Sequence, residues 1–184
     1  MINVLIVEDD PMARKLLEIY INDSEEYKLS QSIESAAMAE LYCCRNPIDL
    51  ILMDVCTAMD ANGLDAAAKI KKSCPHIKII IVTSQPEFSF IERARKAGVE
   101  SFWYKSASAE EIIEVMNITM AGGSVYPDTT PSLRLGEALN VDFTEKELLV
   151  LREVVDGEAD ADIAEKLGMS LRTVKAHIQN MRDK

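Results

Sequence analysis

The run IKIIIVT occupies residues 77–83, and two similar runs, INVLIV at 2–7 and DLILM at 49–53, precede it in the chain. These runs are apolar almost throughout, which is typical of strands buried on both faces of a parallel sheet. A helical pattern follows each of them, at 12–22, 63–73 and 87–97. Strands that alternate with helices predict βαβ units, and therefore an α/β fold with helices on both faces of the sheet.

Two weaker units complete this pattern. A strand at 28–33 precedes a helix at 35–45, and the strand SFWY at 101–104 precedes a helix at 108–120. Three local signals agree with these boundaries. Pro11 lies where a first helical turn tolerates proline, Gly98 lies where a helix is expected to end, and Ser108 with Glu111 forms a capping box. We therefore predict a doubly wound, five-stranded parallel sheet.

The last third of the chain has a different pattern. Residues 122–140 concentrate Gly, Pro, Ser and Thr, and they predict a linker between one domain at 1–121 and another at 141–184. Three short helices are predicted after the linker, and their N-terminal signals are a capping box of Thr144 with Glu147, then Asp160, then Ser170. With Gly168 in the turn between the last two helices, the pattern predicts a small all-α helix-turn-helix domain.

Charge is distributed unevenly. The net charge of -11 argues against non-specific binding of polyanions. Residues 166–184 nevertheless carry five basic residues and a single acidic one, Asp183. Such a local basic stripe is either a nucleic-acid footprint or a solvated helix face.

Targeting signals and cysteine spacing indicate the compartment. No apolar run approaches the ~20 residues of a membrane span, and the acidic N-terminus does not fit a signal peptide. The four cysteines have neither CxxC nor Cys/His zinc spacing, so we expect reduced thiols. We expect a cytoplasmic protein with no membrane partner.

Polar side chains follow the apolar strands at the point where each strand ends. In strand order they are Glu8, Asp9 and Asp10, then Asp54, then Thr83, then Lys105. Each of these residues alone is often a helix cap, a strand end or a solvated side chain, but the carboxyl ends of parallel strands meet at one edge of a sheet. Clustered carboxylates need a cation, and their hard oxygen ligands suit Mg²⁺. Asp54 is then a candidate nucleophile toward a phosphoryl group.

The motifs IVEDD, LILMDV, IIIVTS and WYKS resemble the signature strand ends of the receiver domain of bacterial two-component response regulators. The resemblance implies a flavodoxin-like fold and a phosphoryl group accepted on Asp54 from a sensor histidine kinase, with autodephosphorylation as the only other catalytic chemistry. It implies pairing of Lys105 with the phosphoryl group and a switch in which Thr83 moves and Phe102 rotates inward. The implied Mg²⁺ ligands are Glu8, Asp9, Asp54 and the backbone carbonyl of Cys56.

Residues 143–181, FTEKELLVLREVVDGEADADIAEKLGMSLRTVKAHIQNM, resemble a LuxR-type helix-turn-helix, and both motif sets together point to the NarL/FixJ subfamily. This resemblance implies phosphorylation-dependent binding of promoter DNA, transcription regulation and a homodimer in the phosphorylated state. The implied DNA contacts are Lys175, Ala176 and Gln179 in the major groove, with Arg172, Thr173 and His177 nearer the backbone. LuxR-type domains have a further short helix beyond the position of Lys184, so we expect the last helix to be missing.

The loop after Asp54 departs from the receiver pattern. Ala58 stands where a proline is usual, and Gly63 lies nine residues after Asp54 instead of eight. This loop leaves open an atypical, phosphorylation-independent receiver that acts as a constitutive DNA-binding or interaction module. A metal-dependent phosphatase or phosphotransferase is disfavoured, because Cys56 stands where such enzymes commonly place a second carboxylate.

Overall fold

A computed structural model of the chain describes residues 1–105, 109–128, 134–135, 138–139, 143–155 and 157–183. The chain divides into two compact units, Met1–Thr129 and Thr130–Lys184. Ser108, predicted to cap a helix, lies outside the described residues. Within the described part of the chain, no helix has both the length and the apolar character needed to cross a membrane.

The first unit is built on a parallel sheet. Its strands are β1 (Ile2–Val7), β2 (Tyr27–Ile33), β3 (Leu50–Met53), β4 (Cys56–Thr57), β5 (Ala61–Asn62), β6 (Lys78–Thr83) and β7 (Ser101–Tyr104). Five of these strands form one sheet in the order β2-β1-β3-β6-β7, with every neighbouring pair parallel. The predicted five-stranded parallel sheet is confirmed, and the three apolar runs of the sequence form its centre.

Helices cover both faces of this sheet. They are α1 (Pro11–Asn22), α2 (Ala39–Arg45, after a 3-10 turn at Ala36–Met38), α3 (Gly63–Ser73), α4 (Phe88–Ala97) and α5 (Ala109–Met120). One core cluster joins the sheet to α1 and α5, and the other joins it to α2, α3 and α4. Alternate residues of β1 enter the two clusters, Val4 and Ile6 the first, Leu5 and Val7 the second, and all four are fully buried. The central strands are continuously apolar because both of their faces are covered.

Two of the predicted helix boundaries are confirmed. Pro11 is the first residue of α1, and the Asp10 side chain caps that helix by accepting hydrogen bonds from the backbone N–H groups of Met12 and Ala13. Gly98 ends α4 with a φ of 78°, in the left-handed region that glycine adopts without steric cost.

The connection from β3 to α3 contains a structure that the sequence did not predict. Strands β4 and β5 form a short antiparallel hairpin, and its turn places Met59 and Asp60 at φ values of 63° and 52°. The hairpin is tied to the β2–α2 connection, because Thr57 Oγ1 accepts the Ala36 N–H at 2.9 Å. The longer loop noted in the sequence is therefore an ordered hairpin.

The second unit is helical. Its helices are α6 (Glu145–Val155), α7 (Asp160–Lys166) and α8 (Leu171–Arg182), and a short antiparallel hairpin of β8 (Arg134–Leu135) and β9 (Ala138–Leu139) precedes them. This hairpin falls within residues predicted to be a linker, and it was not predicted. A small core of Val150, Ile163, Ala164 and Val174 holds the three helices together.

Local signals in the second unit are mostly confirmed. The predicted capping box is present, with Glu147 accepting from both the backbone N–H and the hydroxyl of Thr144 at 2.7 and 2.9 Å. Ser170 caps α8 by accepting the Thr173 N–H. The prediction that Asp160 caps α7 is wrong: Ala159 occupies the cap position without a side-chain bond, and Asp160 lies in the first turn, where its charge suits the helix dipole.

Candidate functional site

The carboxyl ends of the central strands open into one cavity of about 380 Å³. Apart from Ala13 of α1, its lining residues follow the carboxyl ends of β1, β3, β6 and β7, as predicted from the sequence. They are Glu8, Asp9, Asp10, Ala13, Asp54, Cys56, Ser84, Gln85 and Lys105. The cavity is therefore strongly acidic, with one ammonium group.

Lys105 lies between two buried carboxylates. Its Nζ atom is 2.7 Å from Asp54 Oδ2 and 2.6 Å from Glu8 Oε2. Glu8 is 1% exposed and Asp54 is 7% exposed. One ammonium group therefore balances two carboxylates in a place that water barely reaches.

This arrangement changes the proton affinity of both partners of the Glu8–Lys105 pair. Burial raises the pKa of Glu8 to about 7, an effect that the hydrogen bond from Lys105 reduces and the neighbouring Asp54 charge increases. Burial acts in the opposite direction on Lys105, but the two carboxylates outweigh it and raise the pKa of Lys105 above its usual value. Lys105 therefore stays charged, while Glu8 exchanges its proton at a pH of about 7.

A third carboxylate completes an oxygen-rich cluster. Ligand oxygens of Glu8, Asp9 and Asp54 all lie within 4.8 Å of one another, and Asp9 is exposed where the other two are buried. Three carboxylates at this separation repel one another unless a cation balances them, and hard oxygen donors fit Mg²⁺. The residues present therefore fit the magnesium ion that the sequence analysis expected.

The backbone holds Asp54 firmly at the mouth of the cavity. Its N–H donates to the Val7 carbonyl at 2.9 Å, and its Oδ1 accepts the Val55 N–H at 2.6 Å. Gly63 approaches so closely that a Cβ atom there would lie 1.8 Å from the Asp54 carbonyl oxygen. This contact was not predicted, and the spacing of Gly63 from Asp54 in the sequence was the signal that could have revealed it.

Asp10 and Arg14 stabilise the backbone around the acidic cluster and are not part of the cluster itself. The Asp10 carboxylate is engaged as the cap of α1. Arg14 donates from Nη1 to the Glu8 carbonyl at 2.9 Å and pairs through Nη2 with Glu34 at 3.2 Å. Arg14 was not predicted as a site residue, and it fixes the backbone of the buried acid Glu8.

Thr83 lies at the end of β6 and is enclosed, with 1% of its surface exposed. Its Oγ1 accepts the Gln85 N–H at 3.2 Å, and its carbonyl accepts the Lys105 N–H at 2.9 Å. Among the described residues, Ser84 and Gln85 line the cavity at the end of β6, and Thr83 itself does not. Gln85 also contacts Cys56, which is exposed, with its Oε1 3.4 Å from the Cys56 sulfur.

Phe102 is already inside the core, with 1% of its surface exposed. Its ring meets Tyr104 edge-on at 5.1 Å between centroids and lies 6.3 Å from the ring of Tyr126. Its backbone N–H donates to the Val125 carbonyl at 2.8 Å. Tyr126 is held in turn by a bond from its hydroxyl to the Val99 carbonyl and by the Arg95 guanidinium, 3.9 Å from its ring centroid. Residues 125–126 therefore cover the edge of β7.

In the second unit, α8 presents a polar surface. Val174 is buried in the core, while five residues predicted to contact DNA are exposed, namely Arg172, Thr173, Lys175, Ala176 and Gln179. Gln179 donates to Asp183 Oδ1 at 2.8 Å. His177 differs from these five, because it is half-buried and its Nε2 is enclosed with no hydrogen-bond partner among the described residues.

Two family models match the chain, one over each unit. The response regulator receiver domain matches residues 4–117, and the luxR family of bacterial regulatory proteins matches residues 141–184. The response regulator protein VraR of Staphylococcus aureus strain Mu3 is 30% identical over 188 residues, which cover 100% of this chain and 90% of that protein.

Solved structures share the fold. A structure of the RcsB response regulator of Salmonella typhimurium matches with a TM-score of 0.65 at 17% identity, over 98% of this chain and 90% of that one. A complex of the response regulator RcsB with DNA matches with a TM-score of 0.65 at 19% identity, over 97% and 89% of the two chains. The chain therefore belongs to the response regulators, and it joins a receiver domain to a LuxR-type helix-turn-helix DNA-binding domain.

Proposed function

We propose that this response regulator is a phosphorylation-dependent transcription regulator whose Asp54 accepts a phosphoryl group from a sensor histidine kinase. One observation carries the proposal. The buried Asp54 carboxylate lines an acidic cavity, 2.7 Å from the Lys105 ammonium and within 4.8 Å of the carboxylates of Glu8 and Asp9. This is the arrangement that phosphoryl transfer needs, since its catalysis rests on positioning and charge balance.

In the proposed transfer, an Asp54 oxygen attacks the phosphorus of a phosphohistidine. A P–O bond forms as the P–N bond breaks, and the imidazole leaves. Lys105 then exchanges its contact with the free carboxylate for one with the phosphoryl oxygens. Glu8, Asp9, Asp54 and the carbonyl of Cys56 would hold Mg²⁺, which neutralises charge on those oxygens when it is bound. In the proposed autodephosphorylation, water attacks the phosphorus, the P–O bond to Asp54 breaks, and inorganic phosphate leaves with the carboxylate restored.

The proposed switch runs from Thr83 to Phe102. A phosphoryl group on Asp54 would draw the Thr83 hydroxyl away from its bond with the Gln85 N–H. Phe102 is already enclosed, so the change would pass through its contacts with Tyr104 and Tyr126 and not through burial of an exposed ring. The phosphoryl group would bias an equilibrium between two packings of this region and favour a homodimer.

The proposed output is binding of promoter DNA by α8. Its exposed residues Lys175, Ala176 and Gln179 would enter the major groove, with Arg172 and Thr173 nearer the phosphates. His177, also predicted near the backbone, would contribute less to DNA binding than Arg172 and Thr173, because its Nε2 atom is enclosed. RcsB, which shares the fold, has been solved in complex with DNA.

We propose the domain organisation expected from the sequence, with a receiver at 1–121, a linker at 122–140 and the DNA-binding domain at 141–184. The proposed location is the cytoplasm, where kinase and promoter are both available.

A DNA-binding experiment tests this function. Duplexes selected from a random-sequence pool by the phosphorylated protein would be titrated with wild type and with Asp54→Ala, each with and without acetyl phosphate and Mg²⁺. We expect the phosphodonor to tighten binding by wild type alone. Equal binding under all four conditions would favour the phosphorylation-independent module, the alternative that the longer spacing from Asp54 to Gly63 leaves open.

A further inference from the structure

Two cysteines meet near the amino-terminal ends of β3 and β6, whereas the acidic cavity lies at the carboxyl ends of the strands. Cys44 lies in the last turn of α2, Cys74 directly follows α3, and their sulfurs are 3.9 Å apart. The topology explains the pairing. Helix α2 leads into β3 and α3 leads into β6, and these two strands are neighbours in the sheet. The C-terminal ends of the two helices are therefore held next to each other.

The backbone around Cys74 is fixed by hydrogen bonds. Its N–H donates to the Ile70 carbonyl at 2.7 Å, and its carbonyl accepts the Ile77 N–H at 3.1 Å. Lys71 reinforces this turn by donating to the carbonyls of Pro75 and Ile77 at 3.3 and 2.9 Å, and it also pairs with Glu100 at 2.7 Å. Cys74 is therefore presented to Cys44 in one defined position.

Exposure distinguishes the cysteines of this region. Cys44 is exposed, so a dissolved oxidant can reach its sulfur, whereas Cys74 is 8% exposed and sits behind it. The adjacent Cys43 points into the core, and burial raises the pKa of its thiol to about 12. The geometry thus selects Cys44 as the sulfur attacked first and Cys74 as its partner.

We propose that Cys44 and Cys74 are an oxidisable dithiol pair that hydrogen peroxide converts to an intramolecular disulfide. Peroxide first oxidises the Cys44 sulfur to a sulfenic acid, and its O–O bond breaks to release water. The Cys74 sulfur then attacks the Cys44 sulfur, the S–S bond forms, and the hydroxyl leaves with the Cys74 proton as a second water. The sulfurs need to approach by roughly 1.9 Å, because a disulfide bond is about 2.05 Å long.

The pair differs from a fast peroxide sensor. The hydrogen bond to Cys74 raises the pKa of Cys44, because it stabilises the protonated thiol. The thiolate is the reactive form, so we expect slow oxidation that follows sustained peroxide exposure. The disulfide would tie α2 to α3 across a 30-residue separation and leave the acidic cavity free. The proposal does not depend on phosphorylation of Asp54.

The test is peptide mapping of the full chain after prolonged treatment with hydrogen peroxide. Trypsin places Cys43 and Cys44 in residues 29–45, Cys74 in 73–78 and Cys56 in 46–69. We expect the intact protein to lose the mass of two hydrogens and peptides 29–45 and 73–78 to be joined, with fragmentation placing the link on Cys44. Dithiothreitol should reverse both changes.

Matched variants make the assignment specific. Cys44→Ser changes an exposed residue and should fold normally, yet it should abolish the linked peptide, while Cys43→Ser and Cys56→Ser should retain it. The oxidised wild type should also unfold at a higher urea concentration than the reduced form, and Cys44→Ser should show no such difference. A link through Cys43, a link between two chains, or oxidation of Cys44 beyond sulfenic acid with Cys74 left reduced would each overturn the proposal.

Discussion

Gly63 lies against Asp54 so closely that a Cβ atom at Gly63 would sit 1.8 Å from the Asp54 carbonyl oxygen. The Gly63 N–H also donates to the Val55 carbonyl at 2.7 Å. The first residue of α3 thus packs directly on the backbone that presents the proposed phosphoacceptor. Any side chain at Gly63 must move that backbone, because a carbonyl group cannot rotate away as a flexible side chain can.

The first prediction concerns this contact. Gly63→Ala should destabilise the protein by about 1–3 kcal/mol and slow phosphorylation by acetyl phosphate, because overpacking shifts the backbone of Asp54. Urea unfolding and intact mass measure the two effects. Gly98→Ala is the control: it introduces strain at a φ of 78° but meets nothing within 4 Å, so it should lower stability without changing phosphorylation. Normal phosphorylation of Gly63→Ala would show that the contact is dispensable.

The second prediction concerns pH. The pKa of Glu8 is about 7 in the folded protein and near 4.5 ordinarily, so between these values the folded state holds a proton that the unfolded chain has released. The stability contributed by this carboxyl is complete below about pH 4.5 and is lost as the pH rises through about 7. Urea unfolding in EDTA should therefore show the stability of wild type falling relative to Glu8→Gln over this range. A difference that grows in favour of wild type would contradict the assignment.

The third prediction concerns competition for the carboxylates. Lys105 pairs with the carboxylates of Glu8 and Asp54, which are two of the three acids that would hold Mg²⁺. Lys105→Ala should therefore bind Mg²⁺ about tenfold more tightly, equivalent to about 1.4 kcal/mol, as measured by calorimetric titration. Lys15→Ala, which removes an exposed ammonium on α1, should bind Mg²⁺ as wild type does. Weaker binding by Lys105→Ala would mean that the lysine organises the site instead of competing in it.

The sequence predicted features that depend on neighbouring residues better than features that depend on residues far apart in the chain. The central strands and most helix ends were predictable, because apolar runs and caps such as Ser170 act locally. The convergence of Glu8, Asp54 and Lys105 was predictable too, since parallel topology alone places strand ends together. The β4–β5 hairpin was not, because its turn holds Met59 in a left-handed backbone conformation that methionine does not signal, although Asp60 is a residue type that tolerates it. The bond of Arg14 to the Glu8 carbonyl was likewise hidden, since arginine on a helix normally faces water.

A fourth prediction concerns the segment beside β7. Tyr126→Phe removes the hydroxyl bond to the Val99 carbonyl and should lower the free energy of unfolding by about 1 kcal/mol. Tyr126→Ala should lower it further, because the ring also contacts Phe102 and the Arg95 guanidinium. Urea unfolding compares the variants with wild type. Unchanged stability in Tyr126→Ala would mean that the segment does not hold Phe102.

A fifth prediction separates charge from base recognition on α8. Arg172→Ala should weaken DNA binding on all sequences and reduce the slope of log K against log salt by about 1, as expected for one lost phosphate contact. Gln179→Ala should change the preferred sequence with little effect on the slope. Lys146→Ala on α6 is the control for loss of an exposed basic residue elsewhere in the domain, and it should leave both properties unchanged. A change of sequence preference in Arg172→Ala with no change in slope would place Arg172 on the bases and contradict its assignment to the phosphates.

Phosphorylation of Asp54 is measured directly by the intact mass of the protein after incubation with acetyl phosphate. We predict a gain of one phosphoryl group in wild type that requires Mg²⁺, is abolished by EDTA and is absent from Asp54→Ala. Peptide mapping should place the group on residues 46–69, which contain Asp54. A phosphoryl group that persists in Asp54→Ala, or no gain in wild type under any of these conditions, would show that Asp54 is not the phosphoacceptor.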